Sequence, residues 1–252
     1  MSTRLESSLL TARDRIYRDP LPQVADFAFD AQVAEVFGDM IRRSIPGYET
    51  VVPITGLLAA RHLATLPAAQ HRLYDLGCSL GACTLAVLQQ FPEESLTAVA
   101  VDNSAAMLDR ARAAVADPRV SFIFDDICDV ALEPAGVVIL NFVLQFVPPE
   151  RRNPLLERIR RSLEPTGLLI VSEKLRFDTP DEQAYYESAH LDYKRANGYS
   201  ELEISQKRNA LENVMIVDSE AEHRQRFASA GFGTVRQWFR CLNWASYLVY
   251  CR

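Results

Sequence analysis

The sequence predicts an α/β fold in which a doubly wound, mostly parallel sheet is covered by helices on both faces. From residue 72 onward, apolar runs of strand length alternate with stretches of helical periodicity. These runs are apolar on both faces, which is typical of parallel strands buried between two helical layers. Near the carboxyl end the alternation stops, and two aromatic-rich stretches on either side of residues 241–243 predict an antiparallel hairpin.

Five strands are predicted before the hairpin. Ser104 is placed to cap the helix after the second strand, and Pro92 and Pro118 mark the ends of two helices. A turn at residues 164–167 precedes the fifth strand. The predicted strands are residues 72–77, 96–102, 120–126, 136–142 and 168–175, and the helices between them are residues 82–91, 105–116 and 149–163.

Two further segments lie outside this alternation. Residues 1–70 are predicted to be a mostly helical lead-in, with helices at 30–45 and 52–66, and residues 71–252 to be the α/β domain. Within that domain, residues 175–220 are predicted to form a helical insertion between the fifth strand and the hairpin. Segments near the carboxyl ends of parallel strands often contribute to ligand sites, so we expect both segments to act as a lid.

Bulk composition argues against several classes of protein. The 252 residues are 48% hydrophobic and 24% charged, as in ordinary globular proteins. A net charge of -6 disfavours direct nucleic-acid binding, which needs a clustered basic surface. The five cysteines are odd in number and include no CxxC pair, so we expect reduced thiols in a cytoplasmic protein. The apolar stretches are too short to predict a membrane span or a signal peptide.

Polar and glycine residues follow four of the predicted strands and are expected to meet at one edge of the sheet. Gly77 permits a tight turn and close approach of the backbone to a ligand, while Gly81 lets the next helix pack on its strand. Ser79 occupies the middle position, where such loops usually have glycine. The candidate binding residues at these strand ends are Gly77, Cys78, Ser79, Asp102, Asn103, Asp126, Ile127 and Asn141.

The positions of the acidic residues favour an adenosine-containing ligand. Asp102 ends the second strand, roughly 20 residues after the glycine loop, where a carboxylate accepts hydrogen bonds from both ribose hydroxyls. Asp126 is placed to accept from the adenine amine, and the Ile127 backbone to meet the ring edge. A purely structural turn and a nicotinamide dinucleotide site are the alternatives. The absence of GxGxxG and the antiparallel hairpin argue against the dinucleotide.

Longer motifs carry a more specific resemblance. Residues 74–81, YDLGCSLG, resemble the first motif of the S-adenosylmethionine-dependent methyltransferase superfamily, except at Ser79. Together with residues 29–49, 140–146 and 194–215, they resemble the bacterial carboxy-S-adenosyl-L-methionine synthase family over nearly the whole chain. The resemblance implies a class I methyltransferase-like Rossmann fold with a seven-stranded sheet. Ser79 is then expected to keep its backbone donor for the ligand and to add a hydroxyl near the methionine end.

The resemblance also implies an activity. Family members convert S-adenosylmethionine and prephenate to carboxy-S-adenosylmethionine and phenylpyruvate, and a tRNA carboxymethyltransferase then uses the product to modify the wobble uridine of certain transfer RNAs. In the implied mechanism, prephenate loses carbon dioxide and its ring hydroxyl as it aromatises. The departing hydroxide removes a proton from the sulfonium methyl group, and the resulting ylide captures the carbon dioxide. No metal is implied.

The ligand positions of the family all match in residue type, and a homodimer is implied. Arg208 is the residue expected to anchor the added carboxylate, and therefore the one assigned a catalytic role. Whether it acts in its own subunit or across a dimer interface is open. The matching positions are Tyr48, Gly77, Cys78, Ser79, Asp102, Asn103, Asp126, Ile127, Asn141 and Arg208.

Helical periodicity is a separate reason to consider Arg208 as a ligand-binding residue. Ser200 and Glu203 form a capping box for a helix from about residue 201 to 213. On that helix Ile204, Arg208 and Leu211 share one face, so Arg208 is expected within an apolar stripe, with Lys207 about a quarter-turn away. A buried guanidinium needs a carboxylate partner, whereas an internal salt bridge or a snorkelling side chain is the structural alternative.

Two other functions remain open from the sequence. One is a conventional small-molecule methyltransferase, and the other is a non-catalytic subunit that binds the cofactor for a tRNA-modifying partner. The carboxylates of prephenate also require cations, for which Arg43, Arg195 and Lys194 are unranked candidates.

Overall fold

The computed structural model describes residues 12–252, so residues 1–11 of the predicted lead-in lie outside the described residues. The strands are β1 (Arg72–Leu76), β2 (Thr97–Asp102), β3 (Val120–Phe124), β4 (Ala135–Asn141), β5 (Leu163–Lys174), β6 (Val235–Cys241) and β7 (Trp244–Tyr250). The helices are α1 (Ala31–Ser44), α2 (Tyr48–Leu63), α3 (Ala82–Gln90), α4 (Ala105–Ala114), α5 (Pro149–Ser162), α6 (Pro180–Ala196), α7 (Glu201–Leu211) and α8 (Glu220–Ser229).

All seven strands form one sheet in the order β3-β2-β1-β4-β5-β7-β6. The pairs among β1 to β5 are parallel, whereas β7 runs antiparallel to both β5 and β6. Helices α2 and α3 pack on one face of the sheet, and α5 and α8 pack on the other. The predicted doubly wound fold with its antiparallel hairpin is therefore confirmed.

Capping residues in the sequence correctly predicted where two helices begin. The Ser104 side chain accepts a hydrogen bond from the Met107 backbone and caps α4, and the predicted capping box of Ser200 and Glu203 begins α7. No helix in residues 12–252 is both long enough and apolar enough to cross a membrane.

The helices predicted at 30–45 and 52–66 correspond to α1 and α2, and residues 12–30 contain no helix. Two local features differ from the prediction. The predicted turn at 164–167 lies inside β5, where the pairing partner of β4 jumps from Leu163 to Leu168 and the intervening residues bulge. Helix α8 was missed, although Ser219 and Glu222 form a second capping box at its start.

Gly56 sets the contact between α2 and α3. A Cβ atom added there would lie 2.6 Å from the backbone carbon and oxygen of Ala86. No real Cβ contact is that short, and the backbone of a packed helix cannot swing aside as a side chain does. The close approach of these two helices therefore depends on glycine.

We expect Gly56→Ala to lower the free energy of unfolding by about 1–3 kcal/mol, because overpacking outweighs the gain of about 1 kcal/mol in helix propensity. The control is Leu57→Ala on the same helix, where the side chain is 50% exposed and truncation removes little buried surface. Urea unfolding of both variants measures the difference. A stabilised Gly56→Ala protein would show that the two helices separate at little cost.

Candidate active site

A cavity of about 770 Å³ lies at the carboxyl ends of strands β1 to β4. The strand ends form its floor, and residues of α1, α2, α6 and α7 also line it. Nearly all of the candidate residues predicted from the sequence meet here. Those that line the cavity are Tyr48, Gly77, Cys78, Ser79, Asp102, Asn103, Asp126, Ile127 and Asn141.

The loop between β1 and α3 has left-handed backbone conformation at three residues. The φ angles are 78° at Gly77, 48° at Ser79 and 76° at Gly81. A Cβ at Gly77 would lie 2.6 Å from a methyl group of Val143, so only glycine fits there. Ser79 adopts a conformation that favours glycine, which costs backbone strain. The substitution at the middle position therefore preserves the shape of the loop.

Asp102 holds this loop against the start of α4. Its carboxylate accepts hydrogen bonds from the backbone N–H of Ser79 at 2.8 Å and of Ser104 at 2.9 Å. The expectation that Ser79 keeps its backbone donor free for a ligand was therefore wrong, because Asp102 already uses it. Burial raises the pKa of Asp102, and the backbone hydrogen bonds oppose that rise. Lone pairs remain on both oxygens for ribose hydroxyls.

Arg151 is a cavity residue that the sequence did not reveal. Its guanidinium pairs with Asp126 at 2.9 Å and with Asp129 at 2.8 Å. The other oxygen of Asp126 accepts from the backbone N–H of Cys128 at 2.8 Å. Asp126 is thus fixed in orientation while it faces the cavity. Arg151 is one of several arginines in α5, so only the fold distinguishes it.

Asn141 lines the cavity and has an unused acceptor. Its Oδ1 atom is buried and has no hydrogen-bond partner among residues 12–252. A buried polar atom without a partner is costly, and in a residue that lines a cavity it is suited to bind a donor on a ligand. Beside it, the ring of Tyr48 lies 6.2 Å from that of Phe142, and burial raises the pKa of the Tyr48 hydroxyl. The site therefore fits a polar ligand that donates at this point.

Glu173 positions the loop that follows Asn141. Its fully buried carboxylate accepts hydrogen bonds from the backbone N–H groups of Val143, Leu144 and Gln145. These bonds fix the chain just after Phe142, a non-glycine residue with φ of 64°. Burial raises the pKa of Glu173 to about 8. This role was not predictable from sequence, since Glu173 simply falls within a predicted strand.

The position of Arg208 differs from the prediction. It is exposed and does not line the cavity, whereas Lys207 is buried and does. The proposed apolar face was wrong because buried polar partners set the rotation of α7. The amide of Gln206 bonds to the backbone of Tyr17, Asp19 and Leu21, and the Lys207 ammonium lies 3.0 Å from Ser44 Oγ.

The structure distinguishes the three cationic residues that the sequence left unranked. Arg43 bonds to the Asp39 carboxylate at 3.0 Å and to the Asn197 carbonyl at 2.7 Å, so its donors are engaged inside the protein. Arg195 is exposed and pairs with surface carboxylates. Lys194 lines the cavity. Of the three, Lys194 has the position expected of a ligand-binding cation.

Comparison with known proteins places this geometry in a family. A family model described as a methyltransferase domain matches residues 73–167. A carboxy-S-adenosyl-L-methionine synthase from Pseudomonas fluorescens is 51% identical over 245 residues, covering 94% of this chain and 97% of the relative. The enzyme of the same name from Aeromonas salmonicida is 49% identical over 241 residues, covering 94% and 96%.

A solved structure supports the fold independently. An O-methyltransferase family protein from Burkholderia thailandensis matches with a TM-score of 0.62 at 18% identity, covering 99% of this chain and 67% of that one. Identity this low establishes the shared fold alone. The relatives that are identical at about half of their positions, over nearly their full length, establish more. The chain belongs to the carboxy-S-adenosyl-L-methionine synthase family.

Proposed function

We propose that this protein converts S-adenosylmethionine and prephenate to carboxy-S-adenosylmethionine and phenylpyruvate. The proposal depends mainly on one observation. A single cavity contains strand-end residues suited to bind adenosine and also lysines from the helices around it. Simple methyl transfer requires the first set but no cations beyond those that bind the methionine carboxylate of the cofactor. Its relatives named carboxy-S-adenosyl-L-methionine synthase support the same reaction.

The strand-end residues are assigned to the cofactor. Bound S-adenosylmethionine supplies a sulfonium whose methyl group is both an electrophile and a weak carbon acid. Asp102 accepts from the ribose hydroxyls, and Asp126, held by Arg151, accepts from the adenine amine. The orphaned Oδ1 of Asn141 accepts from a donor on the methionine part. The glycine loop provides the close backbone approach.

The helical segments are assigned to enclosure. Phe29 lies between the rings of Phe37 and Phe146, at centroid distances of 6.2 and 5.2 Å, and all three line the cavity. This aromatic wall excludes water, and it suits the retention of carbon dioxide, a small molecule without net polarity. We therefore propose that the lead-in and the insertion together form the lid of the α/β domain.

The remaining assignments follow the family. We propose a cytoplasmic homodimer whose product is passed to a tRNA carboxymethyltransferase, with no direct binding of RNA or membrane by this chain. Five free cysteines in the described residues are in keeping with a reducing compartment.

The reaction itself is the first test. We expect purified protein incubated with S-adenosylmethionine and prephenate to form phenylpyruvate and a cofactor product heavier by one carboxyl group, as detected by mass spectrometry. Methylated product with S-adenosylhomocysteine, independent of prephenate, would instead indicate a conventional methyltransferase. Cofactor binding without turnover would indicate a non-catalytic subunit.

Asn141→Ala separates ligand binding from folding. We expect the dissociation constant for S-adenosylmethionine to rise about tenfold, the value of one hydrogen bond in a buried site. The melting temperature should change little, because Oδ1 of Asn141 has no partner within residues 12–252 that would be left unpaired. Asn209→Ala, on the exposed surface of α7, is the control and should alter neither quantity. Unchanged affinity in Asn141→Ala would remove Asn141 from the site.

Arg208→Lys tests the proposed anchor for the added carboxylate. Although Arg208 is exposed, its charge helps to lower the pKa of Lys174 and Lys194. It therefore lies near the cationic part of the cavity, which we define by Lys194 and Lys207. We expect affinity for carboxy-S-adenosylmethionine to fall about tenfold, because lysine lacks the bidentate fork, with little change for S-adenosylmethionine. Arg195→Lys, also exposed on the lid, is the control. Equal losses for both ligands would contradict the anchor.

A further inference from the structure

Two lysines line the cavity from the helices that cover it. Lys207, in α7, is buried, and its ammonium lies 3.0 Å from Ser44 Oγ and 3.7 Å from the Asp14 carboxylate. It also lies 5.3 Å from the centre of the Tyr199 ring. Lys207 therefore has internal partners that compensate part of its burial.

Lys194, near the end of α6, differs from Lys207 in its surroundings. Among residues 12–252, no carboxylate forms a salt bridge with its ammonium. The charged groups that act on it are Lys207, Lys174 and Arg208, all of them cations. The nearby imidazole of His190 donates from Nε2 to the Ser44 carbonyl at 2.8 Å and is neutral, because burial lowers its pKa to about 3.

The arrangement is unfavourable without an anion. Burial and the neighbouring cations lower the pKa of Lys194 to about 7, and burial lowers that of Lys207 to about 8. Lys194 is half-buried among cations and has no carboxylate partner, which is unfavourable, so a purely structural role does not account for it. A perturbed ammonium that faces a cavity is typical of a binding site.

We propose that Lys194 binds a carboxylate of the anionic second substrate, with Lys207 adding to the field that attracts it. The inference rests on the proposed function for the identity of that substrate, prephenate, which carries two carboxylates. The same chemistry is present in the methionine carboxylate of the cofactor. The two sources are distinguished by measuring each ligand separately.

Lys194→Met removes the charge while keeping most of the apolar length, and Lys194→Arg keeps the charge. For Lys194→Met we expect the KM for prephenate to rise about tenfold or more, the value of a charge-assisted contact, with the Kd for S-adenosylmethionine within twofold of wild type. Lys194→Arg should retain most of the affinity. Lys174→Met is the matched control, since Lys174 is partly buried nearby but does not line the cavity.

A binding measurement keeps this inference separate from the reaction. Calorimetric titration of prephenate into protein loaded with S-adenosylhomocysteine, which has no methyl group to react, gives a Kd without turnover. Loss of prephenate binding in Lys194→Met alone would support Lys194 even if no carboxylated product formed. Unchanged prephenate affinity, or an equal loss of S-adenosylmethionine affinity, would overturn the inference even if the wild type made the product.

The pH dependence gives a further signature in the same titration. An ammonium is charged below its pKa, so prephenate affinity of the wild type should fall as pH rises above about 7. Lys194→Arg should lose most of that fall, since arginine stays charged, and the remainder would belong to Lys207. His190 stays neutral over this pH range, because its pKa is about 3. An identical pH profile in Lys194→Arg would contradict the proposal.

Discussion

A buried cluster around Asp14 determines which residues of the neighbouring helices line the cavity. The Asp14 carboxylate accepts from the Tyr199 hydroxyl at 2.6 Å and lies 3.7 Å from the Lys207 ammonium, while its backbone N–H donates to Asp39. The Arg43 guanidinium stacks 3.9 Å above the Tyr199 ring. These contacts join the segment before α1, α1 itself and the start of α7. Because the groups are buried, loss of one partner leaves the others uncompensated.

The fold was predictable because its signals are local. Apolar periodicity located the strands, and Ser104 and Ser200 marked helix starts through bonds to residues three positions away. The strand-end residues were equally predictable, since parallel strands bring their carboxyl ends to one edge whatever the details of packing. The rotation of α7 was not predictable, because it depends on partners such as Asp14 and Ser44, more than 160 residues earlier.

The two parts of the site differ in the same way, one depending on the sheet and the other on long-range contacts of helices. The part of the site suited to adenosine depends on the sheet. There the carboxylates of Asp102 and Glu173 fix the loops by accepting hydrogen bonds from backbone N–H groups. The cationic part depends on helices that lie outside the alternating pattern, and its chemistry comes from single side chains on their inner faces. A change of reaction within the shared fold therefore requires changes in the helical segments and leaves the sheet intact.

Electrostatics connect the two parts. A sulfonium adds a positive charge to a cavity where the charged groups that act on Lys194 are already cations. A dicarboxylate such as the proposed second substrate would offset both the lysines and the sulfonium, and that compensation is stronger where the ligands displace solvent. On the proposed function, we therefore expect the two ligands to bind more favourably together than either does alone. A neutral methyl acceptor would leave Lys194 without a counter-ion, so we expect the lysines to favour an anionic partner of the cofactor.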